Sequence, residues 1–211
     1  MRATRDGALV LFHDETLERL TGDPRPLAKV TLADLAALRV RGPEGTLARI
    51  PTLREAIEAI NGRCAIEIDL PARGLEEAII DVVRTTGAEP WTWFTRHPPE
   101  DALALRTACP QARVFLSVAP RPTRVRDLAD GIEVASRLGL HGVNPTLDAV
   151  LPSHVEAAHE RGLLIGVWTV NTPAAIERAL DLGVDAVTTD VPARVAEAVA
   201  RREPNPRSGG V

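Results

Sequence analysis

The feature that most constrains the fold of this 211-residue chain is a regular alternation of short apolar runs with segments of helical periodicity. The apolar runs, which we predict to be strands, lie at about 64–70, 91–95, 113–118, 141–144, 164–170 and 185–189. The later runs are apolar almost throughout, as parallel strands buried on both faces should be. Between them, Thr52 with Glu55 and Ser153 with Glu156 each fit a capping box at a helix start. This alternation predicts a parallel α/β fold.

Two parallel architectures compete, an open doubly wound sheet and a closed (β/α)₈ barrel. The open sheet normally carries a glycine-rich turn after its first strand, and this sequence has none at that place. Polar residues instead appear at the ends of several predicted strands, among them His13, Glu67, Asn144 and Thr189. A barrel gathers such strand ends around one mouth, so we predict an α/β fold of the (β/α)₈ TIM barrel type.

The start of the chain has the pattern of a β-hairpin. Asp6-Gly7 predicts a tight turn, and the apolar run 8–12 is the returning strand, with His13-Asp14 at its end. Counting this strand, the sequence supplies at most seven, whereas a complete barrel has eight and usually takes roughly 250 residues. We therefore expect the barrel to lack its first strand and most of its second. Residues 1–202 are assigned to this N-terminally incomplete barrel domain and 203–211 to a disordered tail.

Charge and hydropathy narrow the range of partners. The net charge of −4 argues against nucleic acid, because a nucleic-acid binder usually carries a basic face. No stretch of about 20 apolar residues predicts a transmembrane segment, and no signal-peptide pattern is visible, so we expect a cytoplasmic protein. Cys64 and Cys109 are too few for a disulfide framework and are predicted to be buried, small apolar side chains.

Two acids stand on one predicted strand. Alternation along residues 64–70 places Glu67 and Asp69 on one face and the isoleucines on the other. Inward-facing carboxylates are costly unless they are solvated, protonated or bound to a cation, and their oxygens suit Mg²⁺ or Ca²⁺. The alternative is a buried acid paired with an arginine. His13, at the end of a neighbouring strand, is either a general acid or base or a hydrogen-bonded structural residue.

Five blocks of the sequence resemble, in order and spacing, the glycerophosphodiester phosphodiesterase family of the PLC-like phosphodiesterase superfamily. The blocks are residues 4–22 around Phe12-His13-Asp14, residues 50–56, Ile66-Glu67-Ile68, Val167-Trp168-Thr169-Val170-Asn171, and residues 183–192. The resemblance extends from residue 1 to about residue 195. Each block alone is weak, and together they are specific.

The resemblance implies a barrel that hydrolyses glycerophosphodiesters to glycerol 3-phosphate and an alcohol. In the family a divalent cation polarises the phosphate, two histidines act as acid and base, and the glycerol hydroxyl attacks through a cyclic phosphate. By position, His13 matches a catalytic histidine and Glu67 a metal ligand. Trp168 matches an aromatic residue that lines the substrate pocket, although it is equally explained as barrel filling. The implied partner is a small-molecule glycerophosphodiester and the implied cofactor is Mg²⁺ or Ca²⁺.

Departures from the family pattern leave an alternative open. The family's first strand ends in His-Arg-Gly and its second carries a Glu-x-Asp ligand pair, and the resemblance places both ahead of Met1. The family usually has lysine two positions after the metal-binding Glu, where this chain has Asp69. Asp69 is therefore a candidate substitute ligand. The alternative function is that of a non-catalytic, truncated or degenerate member that at most binds a phosphoester.

Overall fold

The computed structural model describes residues 1–42, 45–70, 74–118 and 127–202. The predicted tail, 203–211, lies outside the described residues. The chain divides into two compact units, Met1–Thr95 with Ala104–Arg113, and Arg96–Leu103 with Val114–Val211. Among the described residues, no helix has the length and apolar character needed to span a membrane.

The first unit opens with the predicted hairpin. Strands β1 (Arg2–Ala3) and β2 (Leu9–Val10) pair antiparallel, with Arg2 opposite Val10. The turn closes where Thr4 N donates to Ala8 O at 3.0 Å. Gly7 has a φ of 82°, a backbone conformation that favours glycine, so the turn prediction is confirmed.

Behind this hairpin lies a hydrophobic cluster that anchors the residues before His13. The intervening elements are α1 (Glu18–Thr21), a 3₁₀ helix at Leu27–Lys29, α2 (Leu32–Ala36), the antiparallel pair β3 (Val40–Arg41) and β4 (Leu47–Ala48), and α3 (Leu53–Ile60). The buried members of the cluster are Val10, Phe12, Leu17, Leu27, Val30, Leu35 and Ile50. Because Phe12 is buried in this cluster, the chain that carries His13 leaves the hairpin from a fixed point.

Two of the predicted strands continue the first unit as a parallel pair. β5 (Ile66–Asp69) and β6 (Thr92–Arg96) pair with Glu67 opposite Trp93 and Asp69 opposite Thr95. The segment between them contains α4 (Glu76–Thr85) and a 3₁₀ helix at Glu89–Trp91, and α5 (Pro99–Ala108) follows. A parallel pair needs such a crossover, since a tight turn can join only antiparallel strands.

The second unit contains the other four predicted strands in sequential, parallel order. They are β7 (Arg113–Val118), β8 (Gly142–Pro145), β9 (Leu164–Val167) and β10 (Ala186–Val187). Its helices are α6 (Leu128–Arg137), a 3₁₀ turn at Leu147–Ala149, α7 (Pro152–Glu160), α8 (Pro173–Leu182) and α9 (Pro192–Arg202). All four residues of β8 are buried, which explains why the strands here are apolar on both faces. The α/β prediction is confirmed within each unit.

One helix start is as predicted and one is not. At α3, Glu55 N donates to Thr52 Oγ1 at 3.1 Å and Thr52 N donates to Glu55 Oε2 at 2.8 Å, which confirms that capping box. The box at Ser153 with Glu156 is wrong, because α7 already begins at Pro152. Proline lacks the N–H that a cap would satisfy and suits the first helical position. Leu151 N instead donates to the His154 ring, Nδ1, at 3.2 Å.

Only one of the two cysteines is buried as predicted. Cys109 is buried and its thiol contacts Glu89 Oε1 at 3.1 Å. Cys64 is exposed, which corrects the prediction for that residue. It lies in the connection before β5, in a run of exposed residues.

Candidate active site

His13 is presented to solvent on a rigid backbone. Phe12 directly before it is buried, Leu11 N donates to Pro51 O at 2.9 Å, and Arg2 Nε donates to the His13 carbonyl at 2.9 Å. The His13 side chain is nevertheless 93% exposed. A fixed backbone with a solvent-facing imidazole is the arrangement that a proton-transfer residue requires, since its ring must meet a substrate without the chain moving.

The ring is oriented by its neighbour Asp14. His13 Nδ1 lies 2.9 Å from Asp14 Oδ1. The carboxylate is also held from the other side by Arg19, whose Nε donates to Oδ2 at 2.6 Å and whose Nη2 donates to Oδ1 at 3.1 Å. These hydrogen bonds from Arg19 and then His13 lower the pKa of Asp14 to about 2.

The ionised carboxylate decides which ring nitrogen carries the proton. A carboxylate can only accept, so Nδ1 must be the N–H of neutral His13, and Nε2 is the nitrogen with the free lone pair. Nε2 can therefore take a proton from a hydroxyl and, once protonated, give it to a leaving alcohol. No role was predicted for Arg19 from the sequence. The signal that could have identified it is an arginine five positions after Asp14, in the short helix that follows the His-Asp pair.

The two acids of β5 lie together on one exposed face. Glu67 and Asp69 are exposed while Ile68 between them is 4% exposed, which is the alternation that the sequence predicts. On β6, Thr95 Oγ1 donates to Asp69 Oδ1 at 3.5 Å. The α-amino group of Met1 is in the same neighbourhood: burial lowers its pKa, and the negative charge of Asp69 opposes that shift.

This acidic face is suited to a cation but does not by itself complete a site. In the parts of the chain that the structure describes, no group of three or more His, Cys, Asp or Glu side chains could hold a metal ion. Mg²⁺ commonly binds through only one or two carboxylates and completes its shell with water and substrate phosphate, whereas Ca²⁺ takes about six to eight oxygen ligands. Glu67 and Asp69 could therefore supply the protein ligands of a Mg²⁺ ion, whereas a Ca²⁺ ion would need more oxygen ligands from water and substrate.

Trp168 belongs to the second unit, directly after β9. Its indole Nε1 donates to Asn144 O at 3.0 Å, and its backbone N donates to Pro145 O at 3.2 Å. The indole is thus fastened to the end of β8 and is half-buried. The structure gathers Glu67 with Asp69 on one strand face. In the same unit, it places His13 and Asp14 on the loop after β2 and Arg19 on α1.

Three of the other described histidines, all in the second unit, have hydrogen-bond partners of their own within that unit. His159 Nε2 lies 3.0 Å from Asp185 Oδ2, and Val114 N donates to His141 Nδ1 at 3.0 Å. The His154 ring accepts from the backbone at the start of α7. Each of these three rings therefore fastens an element of the second unit.

Comparison with known proteins decides the family. The sequence profile of the Glycerophosphoryl diester phosphodiesterase family matches residues 1–194. The chain belongs to this family. It is 25% identical over 201 residues to a glycerophosphodiester phosphodiesterase from Caldanaerobacter subterraneus subsp. tengcongensis, a match that covers 91% of this chain and 80% of the relative.

Solved structures of family members share the fold. A glycerophosphoryl diester phosphodiesterase from Parabacteroides distasonis has a TM-score of 0.77 and 25% identity, with 99% of this chain and 76% of the other chain covered. An Oleispira antarctica phosphodiesterase, solved with the product sn-glycerol-3-phosphate, has a TM-score of 0.76 and 24% identity, with 94% and 82% covered. By family, this member of the glycerophosphoryl diester phosphodiesterases is a phosphoric diester hydrolase.

Proposed function

We propose that this protein hydrolyses glycerophosphodiesters to glycerol 3-phosphate and an alcohol, using His13 as a general acid or base. Membership of the phosphodiesterase family supports the reaction class, and the product complex of the Oleispira relative supports glycerol 3-phosphate as the product. The observation that carries the proposal is the ionised Asp14, held by Arg19, 2.9 Å from His13 Nδ1. We also infer that the parallel strand–helix units are parts of a (β/α)₈ barrel, as the family resemblance implies.

The proton inventory at His13 follows from that geometry. With Nδ1–H donating to Asp14, the exposed Nε2 accepts the proton of the attacking hydroxyl as the new O–P bond forms, or returns a proton to the alcohol as the old O–P bond breaks. Asp14 stabilises the imidazolium without itself taking a proton, because its pKa of about 2 lies far below neutral pH. A positioned general acid or base contributes roughly 10²–10⁴-fold to the rate.

A divalent cation, Mg²⁺ or Ca²⁺, is the cofactor that we propose for the acidic face of β5. Glu67 and Asp69 would hold it, and when bound it would neutralise and polarise the phosphodiester anion. Without such neutralisation, the exposed carboxylates of Glu67 and Asp69 would repel the substrate. Thr95 Oγ1 donates to one Asp69 oxygen and so restrains this carboxylate. Trp168 is proposed to line the substrate pocket.

The proposal is tested by measuring glycerol 3-phosphate release from glycerophosphocholine with added Mg²⁺ or Ca²⁺, in a dehydrogenase-coupled assay. His13→Gln should lower kcat by about 10²-fold or more, since glutamine fills the space of the ring without titrating. The matched control is His159→Gln, which keeps a donor for Asp185 and should leave kcat within about twofold, far below the effect of removing a general base. Equal rates for the two variants would contradict the role of His13.

Cation binding has its own readout. Titration of Mg²⁺ or Ca²⁺ into the protein, followed by calorimetry, should give a binding isotherm that Glu67→Gln with Asp69→Asn abolishes. The pair is removed together because each carboxylate can partly replace the other. Glu156→Gln with Glu160→Gln, two exposed positions of α7, is the control for the loss of two negative charges. An unchanged isotherm in the double variant would show that the cation binds elsewhere.

A second candidate function is phosphoester binding without turnover. The observation that favours it is Asp69, which places a negative charge where the family usually has a lysine. The two candidates are separated by combining the assay with a thermal shift in glycerol 3-phosphate. Turnover that depends on His13 supports hydrolysis, a shift without turnover supports binding alone, and the absence of both overturns both.

A further inference from the structure

The Asn171 side chain makes three hydrogen bonds within the second unit. Its Oδ1 accepts from Asp190 N at 2.8 Å and from Thr189 Oγ1 at 3.2 Å. Its Nδ2 donates to Asp190 Oδ2 at 2.6 Å. A side-chain amide has two acceptor sites and two donor hydrogens, so three of its four hydrogen-bonding positions are occupied by residues of the loop that follows β10.

This amide joins two loops that lie at the ends of neighbouring strands. Asn171 follows β9, and its partners Thr189 and Asp190 follow β10, which pairs with β9 in parallel. Val170 N also donates to Thr188 O at 2.9 Å, so the backbone beside the amide is paired as well. The connection reaches α9 because Val191 N donates to Thr189 Oγ1 at 3.0 Å, directly before that helix begins.

The opposite end of the same segment is tied to β8. Trp168 receives a hydrogen bond at its carbonyl from Leu147 N at 3.0 Å, in addition to the two bonds that it donates to the end of β8. Residues 168–171 are therefore held from both sides, at Trp168 by β8 and at Asn171 by the loop after β10. Without the Asn171 side chain, that end of the segment would keep the backbone bond from Val170 N to Thr188 O but lose its three side-chain bonds to the loop after β10.

We propose that Asn171 is a positioning residue that sets the orientation of Trp168. The inference rests on the proposed function, in which Trp168 lines the substrate pocket. Asparagine suits this position because its side-chain amide accepts two hydrogen bonds, from Asp190 N and Thr189 Oγ1, and donates one to the Asp190 carboxylate. Alanine offers neither role, and aspartate would replace the donor with a negative charge facing the carboxylate of Asp190.

The geometry predicts a rescue by exchange. Asn171→Asp should disturb the contact, because two carboxylates would then face each other where one N–H···O bond lies at 2.6 Å. Combining Asn171→Asp with Asp190→Asn should restore the contact, with the donor now on residue 190 and the acceptor on residue 171. The acceptor for Asp190 N and Thr189 Oγ1 is retained in the exchanged pair.

The experiment follows Trp168 directly by fluorescence in a Trp91→Phe, Trp93→Phe background, which leaves a single indole. Asn171→Ala and Asn171→Asp should shift the emission maximum or acrylamide quenching of Trp168, and the exchanged double variant should return both toward the parent. The control is Thr172→Ala, which removes the side-chain cap of α8 beside Asn171 without touching this contact. It should lower Tm while leaving the Trp168 spectrum unchanged.

Kinetics supply the second readout. Asn171→Asp should raise KM for glycerophosphocholine about tenfold, the equivalent of one hydrogen bond's net contribution, with kcat changed less than the KM. If Asn171 variants alter the spectrum no more than Thr172→Ala does, or if the exchanged pair is as disturbed as Asn171→Asp, the proposal is wrong. Absence of turnover in the parent would contradict the proposed function instead, and the fluorescence comparison would still decide the role of Asn171.

Discussion

Replacing Gly142 of β8 by alanine should cause a large loss in the free energy of unfolding, because the added methyl group has no room. Gly142 lies opposite Phe115 of β7 and Leu164 of β9. A Cβ at this position would lie 2.3 Å from the Leu164 carbonyl oxygen and 2.5 Å from Phe115 Cε1. Ordinary contacts begin near 3.4 Å, so a main-chain atom of β9 would have to move by about 1 Å.

Neither the Leu164 carbonyl oxygen nor the Phe115 ring can move aside at low energetic cost. The Leu164 oxygen belongs to a paired strand, and Phe115 is only 1% exposed, so rotation of its ring meets packed side chains. Overpacking of this kind costs about 3 kcal/mol. For a chain of this size each kcal/mol lowers Tm by roughly 2–4 °C, so Gly142→Ala should lower Tm by about 6–12 °C. The measurement is thermal unfolding by circular dichroism, with urea unfolding to obtain the free energy.

Gly166→Ala is the matched control on the neighbouring strand. The nearest atoms to a Cβ at Gly166 are Asn144 Oδ1 at 3.3 Å and Ala186 Cβ at 3.8 Å, so only a slight adjustment is needed. We expect a loss of less than about 1 kcal/mol for this variant. Equal losses for the two variants would refute the steric reasoning, because both substitutions add the same methyl group to a buried strand glycine.

Three further predictions concern single side chains. The pKa of Asp14 is lowered to about 2 from an ordinary value of 3.8. The ionised carboxylate therefore stabilises the fold above pH 3.8, and this stabilisation is lost as the pH falls toward 2. Asp14→Asn should therefore reduce the drop in Tm between about pH 5 and about pH 2.5. Burial and the contact with Glu89 raise the pKa of Cys109 to about 11, so Ellman's reagent should titrate only Cys64 in the native protein and both thiols in guanidinium; two native thiols would contradict this. Thr52→Ala should cost about 1 kcal/mol in urea unfolding, and Thr52→Ser should recover most of it, because serine restores the cap of α3. Equal stability of the alanine and serine variants would rule out that cap.

Much of the local structure could be predicted because it depends on neighbours in the sequence. The turn at Gly7 and the capping box at Thr52 involve residues three or four positions apart, and both are present. The prediction failed at Ser153, where Pro152 moved the helix start, and at Cys64, where residue type said little about burial. In both cases the position of the residue in the fold outweighed the preference of its residue type: Ser153 lies inside a helix that starts at Pro152, and Cys64 lies in an exposed connection.

The candidate site, too, could be predicted from the sequence only where it depends on local structure. Alternation along β5 is a property of any strand, so the sequence was sufficient to place Glu67 and Asp69 on one face. The orientation of His13 required knowledge of Arg19, whose guanidinium meets Asp14 only after α1 has folded. The roles of these residues in catalysis and cation binding remain predictions, to be decided by the assays described above.

By itself, the sequence determined the alternation of strands and helices, the hairpin before His13, and the family, since these follow from periodicity, turn chemistry and ordered motifs. Only the tertiary structure decided which polar groups meet. Asn171 and Asp190 are 19 positions apart, and Trp168 and Asn144 are 24 apart, yet each pair is joined by a hydrogen bond. Parallel strands bring their carboxyl ends to one edge whatever their separation along the chain, and no local pattern records which side chains will face each other there.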